Sequence, residues 1–291
     1  MSDKLIVAHG DIDGVTSAAI LFGQLGIEPE DLNVVFTQPD LVDQVVIPDE
    51  VDQVYVVDIA INNRDPEMTA DFVRRLGGKL VRWYDHHQGW EDYHGDDRFT
   101  TREGLSCASR IGLAHDIRVK DAVVADTREG ELSPTGQLIE RAIKSDMSND
   151  QIRLWAVRLL MGDETCRNPL KGAERAYQMV ENETKWLAGY GQVKENVWFL
   201  DVPGTYYKTY GSDGSFHTYD LTQLLLAGQK LAEFAVVETI DHKTDEELVT
   251  VATKTKINLV ELFELKSGAP FRVTLPALRL AEVIEKLREV V

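Results

Sequence analysis

The sequence predicts an α/β protein, with a mostly parallel sheet flanked by helices and then a smaller C-terminal α/β domain across a cleft. Three observations lead there. Short apolar runs alternate with amphipathic stretches through the first third, a long helical belt follows, and strand-like runs return after residue 196. With 291 residues, the chain has room for one large domain or two modest ones, each with its own core.

The elements follow in order. LIVAHG (5–10) reads as a buried strand, and GVTSAAILFGQLG (14–26) as an amphipathic helix stopped by Gly26. LNVVFT (32–37) and VYVVDIA (54–60) are further strands. A helix runs from Pro66 to the Gly77–Gly78 stop, and KLVRWYD (79–85) is the next strand. This βαβ rhythm places ligands just beyond the carboxyl ends of the strands. From Ser106 to Val193 the pattern is helical, with GLSCASRIGLAHD, SPTGQLIERAIKS and NDQIRLWAVRLLMG as separate candidates. A long stretch from Lys171 reads as the last helix of the first domain, 1–189. YGQVKEN (190–196) reads as a linker. The second domain, 197–291, has strands at 198–202, 234–240 and 247–255 and helices at 220–231 and 276–290. GSDGSF (211–216) reads as a turn.

Composition excludes several classes. Apolar residues make up 43% and charged residues 27%, ordinary for a soluble globular protein. No apolar run approaches the roughly 18 residues of a membrane span. MSDKLIVAHG has no signal-peptide architecture, so a cytoplasmic location is expected, with no membrane partner. Net charge is −18, from 31 basic and 49 acidic residues. That field opposes strong binding to duplex DNA and favours a short anionic substrate held by metal. Cys107 and Cys166 form no CxxC motif, which excludes a zinc ribbon and argues against a disulfide framework. No GxGxxG or GxxxxGK[ST] phosphate loop is present.

Four separated places set Asp or His at an element end. AHGDIDG carries His9, Asp11 and Asp13, and a short extended backbone would aim both carboxylates the same way. Gly14 then turns the chain into a helix. Asp58 ends the apolar run of VVDIAIN, where an unpaired acid is costly to bury. RWYDHHQGW sets Asp85, His86 and His87 together at a strand end. AVVADTREG places Asp126 after another apolar run, with Asp116 of GLAHDI as a nearby competitor. Converging, these acids would repel one another in a partly desolvated cleft, and divalent cations would remove that repulsion. Oxygen and imidazole ligands without cysteine favour Mn²⁺, with Mg²⁺, Co²⁺ and Zn²⁺ as competitors. His94, His115, His217 and His242 lack ligand-like spacing to these motifs.

HGDIDG, VVDIAIN, DHH and VVADT, in that order, resemble the DHH phosphoesterase superfamily. Its members include RecJ-type exonucleases, nano-RNases that degrade short oligonucleotides, and manganese-dependent inorganic pyrophosphatases. The resemblance covers the N-terminal domain and is closest to the oligonucleotide-cleaving and archaeal-style branches. It implies a cluster of two Mn²⁺ ions. His9, Asp11 and Asp58 would hold one, Asp13, Asp58, His86 and Asp126 the other, with Asp58 bridging. Asp85 would fix an imidazole by a hydrogen bond, and His87 would reach a substrate phosphate. The implied activity is phosphodiester hydrolysis of short single-stranded oligonucleotides or small nucleotide phosphoesters. An inorganic pyrophosphatase or exopolyphosphatase, or a catalytically weakened metal-binding partner protein, is the alternative.

The second domain departs from the family pattern. Members carry a glycine-rich loop ending in His, and the corresponding KSGAPFRVTLP keeps Gly268 but neither the glycine run nor the His. The departure implies a different substrate, a base stacking on Phe271, or a weakened enzyme, with Phe271 and Arg272 as the candidate substrate contacts there. Lys254 and Lys256, two apart on a strand, either bind phosphate or belong to a solvated edge.

Overall fold

The computed structural model describes residues 3–62, 65–101, 104–202, 219–241, 246–265 and 269–290. The chain divides into two compact units, Met1–Arg175 and Ala176–Val291.

In the first unit, strands β1 (Lys4–His9), β2 (Val34–Thr37), β3 (Gln53–Val57), β4 (Leu80–Asp85) and β5 (Phe99–Thr101) form one sheet in the order β2-β1-β3-β4-β5. Every pairing in it is parallel. Side chains alternate across the sheet, as the two-residue period of a strand requires. Ile6, Ala8, Tyr55 and Val57 face one core, shared with helices α1 (Ile12–Gln24), α5 (Pro134–Ser145) and α6 (Asp150–Leu160). Leu5, Val7, Val54 and Val56 face the other, against Phe72 and Leu76 of α2 (Pro66–Leu76). Both faces are therefore covered, which is why these strands read as continuous apolar runs. Helices α3 (Ala108–Ile111) and α4 (Ile117–Thr127) precede α5, and α7 (Arg167–Ala188) runs across the boundary between the units.

The caps explain most helix starts. Asp65 accepts from Glu67 N, Asp116 from Arg118 N, Ser133 from Gly136 N and Asn149 from Gln151 N. The first helix begins at Ile12, two residues before the expected start, because Asp11 itself is the N-cap and accepts from Gly14 N at 3.0 Å. Strand β5 carried no signal that separated it from a loop.

In the second unit, β6 (Gln192–Lys194), β7 (Val197–Asp201), β8 (Phe234–Asp241), β9 (Glu246–Thr253) and β10 (Arg272–Pro276) form a mixed sheet in the order β10-β9-β8-β7-β6. Only β7 and β8 pair in parallel. Leu224 and Leu225 of α8 (Leu221–Gln229) pack on Trp198, Leu200 and Val237. Leu259 of α9 (Leu259–Leu262) and Val283 and Leu287 of α10 (Leu280–Val290) pack on Phe234, Val236 and Val251.

Two expectations change here. Residues 190–196, read as a linker, instead supply strand β6 and its turn. Glu195 and Asn196 both have positive φ (48° and 63°), the conformation of a tight hairpin turn. Lys254 and Lys256 do not lie on a strand, because β9 ends at Thr253. Thr255 N donates to Thr253 Oγ1 at 3.0 Å and bends the chain. The 211–216 turn, His217, His242 and Gly268 lie outside the described residues. No helix among the described residues is long and apolar enough to cross a membrane.

Candidate metal centre

In the strand order β2-β1-β3, the connections leave β1 and β3 in opposite directions, the switch point at whose carboxyl ends such sheets take their ligands. His9 ends β1, Asp58 follows β3 and Asp85 ends β4. Six of the residues singled out by sequence meet there. His9, Asp11 and Asp58 form one group of potential ligands, and Asp13, His86 and Asp126 another, with ligand atoms in each group within 4.8 Å of one another. Asp58 also groups with Asp85, His86 and His87.

Each side chain has its own local support. Asp58 is buried and takes φ 58°, a left-handed conformation that Asp tolerates better than most residues. Its N–H donates to Tyr84 O at 2.9 Å, which locks the turn to β4. Asp13 lies inside the first turn of α1, not on extended backbone, so its direction is set by the helix. It accepts from Cys107 N at 2.5 Å, Ala108 N at 2.8 Å and Ser17 Oγ at 3.3 Å. Gly14 is required by close approach, since a Cβ there would collide with the His9 carbonyl.

His86 Nδ1 lies 3.1 Å from Gly104 O, so Nδ1–H donates and Nε2 is the nitrogen that can ligate once it loses its proton. Nε2 then faces Asp126 Oδ2 at 3.3 Å, Asp58 Oδ1 at 3.5 Å and Asp13 Oδ2 at 3.7 Å. His9 Nδ1 stands 3.0 Å from Asp11 Oδ2 and 3.6 Å from Asp58 Oδ2. The two adjacent histidines diverge in role. Asp85, fully buried, accepts from His87 Nδ1 at 2.9 Å and from Trp90 Nε1 at 2.7 Å. His87 is 47% exposed, leaving Nε2 directed away from that pair. Asp126 sits in the last turn of α4, whereas Asp116 caps the other end of the same helix and pairs with Arg118 at 2.6 Å. Asp116 belongs to no group of potential ligands among the described residues. His94 and His115 stand outside these groups as well.

Without a cation the crowding is costly. Burial, then Asp58 and Asp11, push the Asp13 carboxyl up to about 8. Burial, then Asp13 and Asp58, push Asp126 up to about 12. Burial would lower the His86 pKa, but Asp58 and Asp13 overcome it and raise it to about 9. The same contest raises His87, through Asp85. Burial would raise Asp85, and His87 draws it below the usual carboxylate range. Asp58 Oδ1 and Asp126 Oδ2 are buried oxygens that accept no hydrogen bond. Orphaned carboxylate oxygens beside imidazole lone pairs fit divalent cations.

Sequence reasoning missed the supports: Gly104 O behind His86, the Cys107 and Ala108 N–H groups on Asp13, and Arg153, which donates to Gly10 O at 2.8 Å. These partners lie 18, 94, 95 and 143 residues away along the chain, beyond any local pattern. In the second unit, Lys254 Nζ donates to Gln229 O at 2.6 Å and so caps the end of α8. Lys256 is exposed, Phe271 is 44% exposed, and an Arg272 guanidinium N–H reaches Thr222 Oγ1 at 3.1 Å.

No family model matches the sequence, and no curated protein matches it. Solved structures do. PggH, a pGpG-specific phosphodiesterase from Vibrio cholerae, aligns with TM-score 0.61 at 12% identity, over 98% of this chain and 97% of its own. The DHH domain of a protein assigned to a ribosomal protein family aligns with TM-score 0.61 at 14% identity, over 99% and 86%. RecJ from Thermus thermophilus, solved with Mn²⁺, aligns with TM-score 0.58 at 16% identity; the match covers 99% of this chain but 51% of RecJ. These likenesses are of fold: this chain shares the fold of the DHH-domain proteins.

Proposed function

We propose that the chain is a phosphodiesterase that depends on two divalent cations, with Mn²⁺ preferred, and hydrolyses short single-stranded oligonucleotides or small nucleotide phosphoesters. The observation that carries this reading is the convergence of His9, Asp11, Asp13, Asp58, His86 and Asp126 around buried carboxylate oxygens without hydrogen bonds. His9, Asp11 and Asp58 would hold one cation, and Asp13, Asp58, His86 and Asp126 the second. When bound, such ions lower the pKa of water and polarise phosphoryl oxygens. Asp85 holds His87 by its Nδ1–H, and the carboxylate raises the pKa of that imidazole, which favours its protonated form. His87 Nε2–H is then free to donate to a substrate phosphate oxygen. His86, fixed on Gly104 O, gives up its proton to act as a ligand, so cation binding releases protons.

A nucleotide-sized substrate draws support from PggH, which is described as pGpG-specific and matches over nearly its whole length. Phe271 is exposed enough for a base to stack on it. The pyrophosphatase reading needs several basic groups closing on a small anion. Lys254, one of the two lysines singled out, is engaged with the end of α8 instead.

The test is a hydrolysis panel with Mn²⁺: a dinucleotide, a 3′,5′-bisphosphonucleoside, a longer single strand and pyrophosphate. The dinucleotide should turn over fastest. Phosphate release from pyrophosphate alone would move the assignment to the alternative, and bound Mn²⁺ without hydrolysis of any substrate would leave a metal-binding partner protein.

A further inference from the structure

We propose that Arg153, on α6, is the positioning residue that sets His9 and Asp11 for the first cation; this rests on the metal-centre reading above. The argument begins with the connection. Strand β1 stops at His9 and α1 starts at Ile12; Asp11 is tied to the helix by its cap and by Val15 N–H on its carbonyl, so the Gly10 carbonyl is what joins the two ladders. A rotation of the Gly10–Asp11 peptide would shift Asp11 relative to His9, the two candidate ligands on either side of Gly10.

Arg153 prevents that rotation. Its side chain is 8% exposed, and its Nε donates to Gly10 O at 2.8 Å. One terminal nitrogen reaches Asp150 Oδ1 at 2.6 Å, and the other donates to the Met147 carbonyl. The guanidinium also lies 5.9 Å from the ring centroid of Phe36 on β2. A planar fork held by three acceptors and a ring has little freedom, so the Gly10 carbonyl it grips is fixed relative to α6. Glycine and arginine fit as a pair, because a Cβ on Gly10 would lie 2.5 Å from Arg153 Nε.

The pattern matches the rest of the centre. Asp58 is held by its left-handed backbone and Tyr84 O, Asp13 by two N–H groups, and His86 by Gly104 O. The Gly10 carbonyl between His9 and Asp11 is held by Arg153. Burying a guanidinium is costly unless acceptors pair it, and Gly10 O, Asp150 and the Met147 carbonyl do so here. Ligand sets need their supports within a fraction of an ångström.

The experiment titrates Mn²⁺ calorimetrically into the metal-stripped full chain as wild type, Arg153→Met, Gly10→Ala, the double variant and Arg153→Lys. Metal-free melting temperatures are recorded alongside. Wild type should bind two ions. Arg153→Met should weaken one step roughly 10–100-fold and leave the other unchanged. Gly10→Ala, which keeps α6 intact, should weaken the same step by displacing the guanidinium. The double variant should be no worse than the poorer single, because both break one contact. Arg153→Lys should recover the melting temperature but not the affinity, since one ammonium cannot span three acceptors. Unchanged binding in Arg153→Met, additive losses in the double variant, or full recovery in Arg153→Lys would overturn the proposal. Wild type that takes up no Mn²⁺ would instead overturn the metal-centre reading itself, before any variant is compared.

Discussion

Two clusters of buried polar groups, one in each unit, are built in opposite ways. In the second unit, Asp220 caps α8 by accepting from Gln223 N, accepts from the Tyr177 hydroxyl at 2.8 Å, and donates its own N–H to Thr184 Oγ1 at 2.8 Å. Thr250 and Thr274 meet across β9 and β10 at 3.0 Å. These groups answer one another, and they stabilise the unit. In the first unit, four aspartates crowd the ends of β1, β3 and α4, and two of their oxygens accept nothing. A satisfied polar cluster is structure, whereas an unsatisfied acidic one is a place prepared for something that brings positive charge.

The largest effect that could break this contrast is at Asp58. Asp58→Asn should abolish Mn²⁺-dependent hydrolysis while raising the metal-free melting temperature, because it removes a buried charge yet keeps a residue that tolerates positive φ. Dinucleotide turnover surviving in that variant would sink the two-cation mechanism. Asp58→Val should lose activity and add about 1–2 kcal/mol of backbone strain, read as a lower denaturation midpoint.

Next comes Asp85→Asn. The amide loses the charge that orients and protonates His87 while the Trp90 bond persists, so kcat should fall roughly 10–100-fold with Mn²⁺ affinity little changed. A fall in affinity instead would place Asp85 among the ligands. Phe271→Ala sharpens the substrate assignment: KM for a dinucleotide should rise by the equivalent of about 1–3 kcal/mol, with hydrolysis of a base-free phosphoester unaffected.

The pH dependence of stability follows from the crowded acids. The metal-free fold raises the pKa of Asp13 to about 8 and of Asp126 to about 12, so between about pH 4 and 8 the native state holds protons that the unfolded chain has lost. Stability must then fall as pH rises through that window, by about 1.4 kcal/mol per pH unit for each excess proton. His86, raised to about 9, adds the same sign above its unfolded value. Saturating Mn²⁺ should flatten or reverse the slope, measured by thermal melts at several pH values. In the second unit Tyr177→Phe should cost only about 0.5–1.5 kcal/mol and leave Mn²⁺ binding untouched.

Much of the first unit was legible in sequence because its strands are buried on both faces and its glycine and proline stops are local signals. LIVAHG, VYVVDIA and KLVRWYD each contain a strand that ends at or beside a candidate ligand. Where the reading slipped, a local cue was weaker than its context. Asp11 became an N-cap and drew the helix forward to Ile12. The GQVKEN stretch carried polar residues like a linker, but Glu195 and Asn196 turn it into a hairpin against β7. Lys254 was read along a strand that Thr253 and Thr255 end by a side-chain bond.

Sequence by itself determined which residues are candidates for ligand chemistry, because Asp and His are good donors to divalent cations and their motifs stand in order at element ends. Tertiary structure alone decided which of them share a space and what holds them. Asp126 rather than Asp116 meets His86, and Gly104, Cys107 and Arg153 act as supports. The reason is physical: motif residues advertise themselves by type and spacing, whereas a supporting carbonyl or guanidinium is defined only by the distance that folding brings it across.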